Sequence, residues 1–232
     1  MDSNMIMEVI NNNNHEFYKI FQNCPEKILS HWETKKYPNG SIICHQGEIF
    51  GCFCLIVEGK AAVYILAENG KRYSPTDLGT GDFIGEMEIL ENKPSLSYVE
   101  ASTDLKVLQI ERVYFVKWLE MDNSLNLYMI KYFYKKFGYC TQKASGNTLY
   151  SLKSRLCTYL LSCCEKTSKI VGDIEIKLDK EKLSQELAVT IRSVQRSLQY
   201  LSEEKIIEIK PKSIIVKDLK KLAWEEKSSR NE

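Results

Sequence analysis

Through the first half of the chain, apolar residues come in short runs broken by glycine-bearing turns. Ser41-Ile42-Ile43-Cys44 leads into Gln46-Gly47-Glu48, and Cys52-Phe53-Cys54-Leu55-Ile56-Val57 ends at Glu58-Gly59. Ala61-Ala62-Val63-Tyr64-Ile65 ends at Glu68-Asn69-Gly70, where Asn-Gly favours a primed turn with positive φ at both central positions. Further runs are Asp82-Phe83-Ile84, Ser97-Tyr98-Val99-Glu100-Ala101 and Leu105-Lys106-Val107-Leu108-Gln109-Ile110. Eight of the eleven glycines fall between Gly40 and Gly85. This cadence predicts a small antiparallel β-barrel or jelly roll.

The period changes after Glu111. From Arg112 to about Tyr150 there is almost no turn signal, so the pattern predicts long helix. Leu125, Met129, Tyr132, Lys136, Tyr139 and Lys143 mark one stripe, and Leu127, Ile130, Phe133, Phe137 and Cys140 mark a second. A helix with two such stripes covers two neighbours, and the second is expected to be the same helix of another copy. Ser151 is expected to cap a further helix to about Lys166, with Leu152, Leu156, Leu160 and Leu161 inward.

Asp179 then caps a short helix with Leu183 and Leu187 on its apolar side, and Ala188-Val189-Thr190 makes a tight turn. From Ile191 a second helix is expected to bury one stripe of Ile191, Val194, Leu198 and Leu201 and to leave Arg192, Ser193, Gln195, Arg196 and Gln199 opposite. Two short helices with a polar, basic second member form the layout that enters a DNA major groove. Arginine makes two hydrogen bonds to guanine, and glutamine does the same to adenine. The readers expected are Arg192, Gln195 and Arg196, with the Thr190 or Ser193 hydroxyl on a phosphate or a base edge and Lys180, Lys182, Lys210 and Lys212 on phosphates. Ile206 to Ile209 and Ser213 to Val216 flank Lys210-Pro211-Lys212, a wing with a basic tip.

Charge agrees with this layout. The 232 residues carry a net charge of only +1, but residues 151–232 hold 17 Lys/Arg against 13 Asp/Glu, leaving the rest acidic. The stretch Met1 to Ile10 has no basic cluster and does not read as a secretory leader, and no window nears the roughly 18 apolar residues of a membrane span. A cytoplasmic protein with no membrane partner is expected. The eight cysteines include no Cys-x-x-Cys pair, and most are expected to be buried thiols. Cys52 and Cys54 should face one side of a strand.

The chain resembles the cyclic-AMP receptor protein and fumarate/nitrate-reduction regulator (CRP/FNR) superfamily from about Lys35 to Leu222. The resemblance rests on Gly40-Ser41-Ile42-Ile43, Gln46-Gly47-Glu48, Leu55-Ile56-Val57-Glu58-Gly59-Lys60, Gly81-Asp82-Phe83-Ile84-Gly85-Glu86 and the segment Leu183 to Arg196. It implies an α+β chain with a cyclic-nucleotide-binding-like sensor at 1–121, a dimerisation helix at 122–150 and a winged helix-turn-helix at 151–232. It further implies a homodimeric transcription regulator on a two-fold symmetric operator, contacting double-stranded DNA and RNA polymerase. A small-molecule effector pocket would involve Gly85, Glu86, Met87, Ser95, Leu96, Cys140 and Thr141.

The sensor departs from the family pattern. Cyclic-nucleotide binders place Arg-Ser where this chain has Ser95-Leu96, and the cation nearest in sequence is Lys93. A buried phosphate needs a charged partner or several donors, so cyclic AMP is not the expected effector. The oxygen-sensing branch uses a cysteine cluster, but only Cys24 precedes the barrel, and His15, His31 and His45 suggest no haem ligand. No cofactor or metal is expected. An enzyme on a barrel would need clustered metal ligands, which the barrel region with only His45 does not supply. A cyclic-nucleotide-binding module acting on a protein partner is the alternative, and the basic helix and wing weigh against it.

Overall fold

Most strands between residues 33 and 111 have an apolar face to hide, and in the computed structural model, which describes residues 15–165 and 173–230, two antiparallel sheets hide them. The chain divides into two units, 1–136 and 137–232.

The first unit opens with helices α1 (His15–Phe21) and α2 (Glu26–Leu29). Eight strands follow: β1 (Glu33–Tyr37), β2 (Ile42–Cys44), β3 (Cys52–Glu58), β4 (Ala61–Leu66), β5 (Arg72–Leu78), β6 (Phe83–Ile84), β7 (Tyr98–Ala101) and β8 (Leu105–Glu111). They pair in the orders β1-β8-β3-β6 and β2-β7-β4-β5. The continuous apolar run of β3 is explained by burial on both faces. Cys54 and Ile56 meet Ile43, Val99 and Ala101 of the other sheet. Phe53, Leu55 and Val57 meet the helices, where the Phe53 and Phe115 rings stack at 3.8 Å and the two buried indoles Trp32 and Trp118 meet edge to face at 6.0 Å. Cys52 and Cys54 do share one side of β3, where both sulfurs bond the Gln109 amide.

Two local expectations change. The Asn69-Gly70 hairpin is not a primed turn: Gly70 takes φ +78 while Asn69 does not have positive φ, and the Gly70 amide donates to the Ala67 carbonyl at 2.9 Å. This is a three-residue loop with glycine at its left-handed position. The helix expected from Arg112 to Tyr150 is two, α3 (Arg112–Met121) and α4 (Asn123–Leu149). Asp122, with extended φ and ψ, separates them. Its carboxylate accepts the amides of Ser124 at 2.9 Å and Leu125 at 3.2 Å and the Trp118 indole N–H at 3.1 Å. It thus satisfies the donors left open at the start of α4.

The first stripe of α4 packs inward through Leu125 and Met129, with Tyr132 beside them. The second divides: Phe133 joins the core, while Leu127, Ile130, Phe137 and Cys140 are exposed.

In the second unit Ser151 accepts the Ser154 amide at 3.2 Å and so starts α5 (Leu152–Glu165); Lys166, the expected end, lies outside the described residues. Next come β9 (Ile174–Lys177), α6 (Lys180–Glu186), α7 (Ile191–Glu203), β10 (Ile207–Ile209), β11 (Ser213–Val216) and α8 (Leu219–Ser228). The hairpin gains β9 as a third strand, in the order β10-β11-β9. The core joins Leu156, Leu160, Ile174, Leu183, Val194, Leu198, Leu201 and Leu222.

Candidate nucleic-acid interface and effector pocket

The α6–α7 corner is built from caps and one unusual backbone residue. The Asp179 carboxylate accepts the Lys182 amide at 2.9 Å and opens α6. Ala188 takes φ +54 after Leu187, and the Val189 amide reaches back to the Ser184 carbonyl at 3.0 Å. Thr190 then caps α7 by accepting the Ser193 amide at 3.2 Å, and its hydroxyl also meets the Ser193 hydroxyl at 3.0 Å. These two hydroxyls therefore hold the start of α7 in shape. Replacing such a cap costs typically about 1 kcal/mol.

The free face of α7 carries Arg192, Gln195, Arg196 and Gln199, all exposed or partly so, with the Gln199 amide donating to Glu203 at 3.2 Å. The opposite face buries Val194, Leu198 and Leu201 completely, which fixes the direction of the polar side chains; Ile191, expected in the same stripe, is instead 39% exposed, because it stands at the first turn, beyond the core. At the hairpin tip the Lys210 amide bonds the Ser213 carbonyl at 2.8 Å, leaving Lys212 exposed beyond Pro211 and Lys210 before it. Lys182 is exposed at the start of α6, and Lys180 is half-buried.

A cation that sequence reasoning does not single out fastens this corner. The Arg155 guanidinium, on α5, donates to the Leu187 carbonyl and to the Asn147 side chain of α4, each at 2.8 Å. Its Nε is buried without a partner, and burial lowers its pKa. From the other side the Glu225 carboxylate of α8, buried, meets Lys153 at 3.0 Å and the Tyr200 hydroxyl of α7 at 3.3 Å.

Five of the expected pocket residues lie in the first unit. Gly85 has φ +83, and a Cβ there would run into the Cys52 carbonyl oxygen, so only glycine fits. Burial is the main influence on the Glu86 carboxyl and pushes it up to about 7; Glu88 and Asp82 add to the rise, and Lys136 opposes it. Ser95 is buried and donates to the Ser97 carbonyl at 2.9 Å. Met87 and Leu96 are 65% and 64% exposed. Cys140 and Thr141 belong to the second unit, exposed on α4.

The cations near this segment already have partners. Lys93 pairs with Glu91 and is largely exposed. Arg112 donates to the carbonyls of Ile89 at 2.6 Å and Leu90 at 2.9 Å. Lys136 bonds Asp82 at 2.7 Å, and the Tyr132 hydroxyl accepts the Phe83 amide at 3.3 Å. Neither Arg112 nor Lys136 is expected at this site from the sequence; both come from helices distant along the chain. Among the described residues no group of three or more His, Cys, Asp or Glu is arranged to hold a metal ion, and no helix is long and apolar enough to cross a membrane.

Comparison with known proteins agrees with both units. Residues 34–122 match the cyclic nucleotide-binding domain, and residues 154–224 match the Crp-like helix-turn-helix domain. The cAMP-activated global transcriptional regulator CRP of Salmonella typhimurium is 26% identical over 194 residues, covering 82% of this chain and 92% of that protein. The cAMP-activated global transcriptional regulator Vfr of Pseudomonas aeruginosa is 21% identical over 197 residues, with 82% and 92% covered. In fold, the chain is similar to a CRP/FNR-family transcriptional regulator from Thermus thermophilus, with TM-score 0.70, 19% identity, and 85% of this chain and all of the other covered. It is also similar to the c-di-GMP responsive global regulator CLP of Xanthomonas campestris, with TM-score 0.71, 16% identity, and 83% and 97% covered. The named relatives are transcription regulators. With a nucleotide-domain match, a helix-turn-helix match and relatives spanning both, the chain belongs to the CRP/FNR family of DNA-binding transcription regulators.

Proposed function

We propose that the protein acts as a homodimer on a two-fold symmetric operator, with α7 of each copy in the major groove. The observation that carries this reading is the free face of α7, where Arg192, Gln195, Arg196 and Gln199 stand above a fully buried apolar stripe. Arg192, Gln195 and Arg196 read base edges, with Thr190 and Ser193 at the helix start. Lys180, Lys182 and Lys212 neutralise phosphates, and these contacts give affinity without sequence information. The exposed Leu127, Ile130 and Phe137 of α4 support dimerisation through residues 122–150, between a sensor at 1–121 and a DNA-binding part at 151–232. The two sheets close on themselves as a roll or barrel around the effector. The dimer works in the cytoplasm and contacts RNA polymerase at the promoter.

The effector pocket lies at Gly85, Glu86, Met87, Ser95 and Leu96, with Cys140 and Thr141 of α4 joining it as the family resemblance implies. Its ligand is not cyclic AMP. The Ser95 hydroxyl is bonded internally, Leu96 offers no charge, and Lys93, Arg112 and Lys136 are engaged elsewhere. Selection of bound genomic fragments, with and without cell metabolites, tests the whole reading. Salt-sensitive binding to a palindromic sequence is expected. Absence of any selected sequence would overturn it, and tight cyclic AMP binding by calorimetry would overturn the pocket assignment.

A further inference from the structure

The start of α7 holds one residue out of character, above the buried stripe and beside the reading face. Ile191, the first residue of the helix, is 39% exposed. Val194, Leu198 and Leu201 of the same helix enter the core, but Ile191 is not among the residues packed there. Its neighbours Thr190 and Arg192 are exposed and polar, and the Thr190 cap fixes the turn from which it projects. The N-terminal end of such a helix is the end that meets base edges. In the major groove the distinctive apolar group on a base edge is the thymine C5 methyl. An isoleucine there has no hydrogen-bonding group for guanine, adenine or cytosine to use, so its presence alters what the helix selects.

We propose that Ile191 is a specificity-determining residue that packs against a thymine methyl, giving each half-site one thymine recognised by its methyl group alone. This rests on the DNA-reading role of α7 proposed above. Burying one methyl is worth about fourfold in affinity per half-site, and about fifteenfold when both half-sites are changed.

The test takes the full-length protein and the best fragment from genomic selection, then replaces each thymine of a half-site by deoxyuridine, which removes only the methyl. Wild-type protein is expected to lose about fourfold at one thymine contacted by the start of α7. Ile191→Ala is expected to bind the thymine operator more weakly by a similar factor and to be indifferent to deoxyuridine there. Ile191→Val, which keeps branched methyls, should retain most of the discrimination. The proposal is overturned if the wild type tolerates deoxyuridine at every thymine, or if Ile191→Ala pays the same deoxyuridine penalty as wild type. The wild-type scan decides the matter even if a variant folds poorly. Failure to select any fragment would instead sink the DNA-reading role itself, and this inference with it.

Discussion

Replacing Glu86 by glutamine should stabilise the protein at high pH and change it little at low pH. Glu86 follows Gly85, and burial raises its carboxyl from the ordinary 4.5 to about 7. The folded chain therefore holds this proton where the unfolded chain has lost it. The stability gained from holding it is complete below about pH 4.5 and is lost as pH rises through about 7. At pH 8 the folded protein carries a poorly solvated carboxylate, which costs up to about 3 kcal/mol relative to the protonated form. Glutamine is nearly the same shape and never ionises. Glu86→Gln should thus gain roughly 2–3 kcal/mol more at pH 8 than at pH 5. Urea unfolding followed by tryptophan fluorescence measures this, because Trp32 and Trp118 are buried in the same unit. Titrating groups away from Glu86 act on both proteins alike and cancel in the comparison; Glu88, Asp82 and Lys136, which feel its charge, contribute the remainder. An equal effect at both pH values, or a loss of stability at pH 8, would show that Glu86 is not held in a poorly solvated place.

Three further outcomes follow from contacts already described. Gly85→Ala forces a side chain into the Cys52 carbonyl at positive φ and should destabilise the first unit by about 2 kcal/mol in the same urea assay; an unchanged midpoint would refute the tight approach. Arg155→Met removes two charge-assisted bonds, at the α6–α7 corner and at Asn147, while relieving a buried charge. The net loss should be about 2 kcal/mol, seen as faster amide hydrogen exchange in α6 and the turn, and unchanged protection would exclude Arg155 as a fastener. Arg196→Ala should weaken specific binding by about 1–3 kcal/mol and relax base preference in gel shifts across operator variants; equal loss on every sequence would make it a phosphate contact instead.

The helix-turn-helix is legible in the sequence because its signals are local and mutually consistent. Asp179 and Thr190 announce caps, and Val194, Leu198 and Leu201 keep one helical face. Six of the eight strands of the first unit are equally readable from apolar runs between glycines, but β1 and β5 carry too few apolar residues to show. What escapes depends on distant partners or on residues that look like ordinary surface. Lys136 and Asp82 stand 54 residues apart, and nothing in either neighbourhood foretells their bond. Asp122 escapes because one carboxylate within a long polar-apolar mixture looks like a helix surface position; only its bonds to Trp118, Ser124 and Leu125 reveal the break. The alternation Ile174-Glu175-Ile176-Lys177 is a visible strand signal, but a run of four residues is too short to stand out without its partner strand β11. Helix α8 hides Glu225 and Glu226, which acidic composition alone would place outside; Lys153, Thr158, Tyr200 and Arg230 make their burial tolerable.

The cysteines have a practical consequence for observing the protein at work. Cys140 alone of the eight is exposed, while burial pushes the thiols of Cys24 and Cys157 up to about 12 and raises those of Cys44, Cys52, Cys54 and Cys164. Thiolate is the form that reacts. A maleimide dye or spin label near neutral pH should therefore attach first at Cys140 of α4, ahead of the half-buried Cys163, which is best replaced by serine beforehand. Two tagged copies would carry one separation between them. Its appearance on mixing, and its change on adding operator or metabolite extract, would track assembly and switching in otherwise native protein.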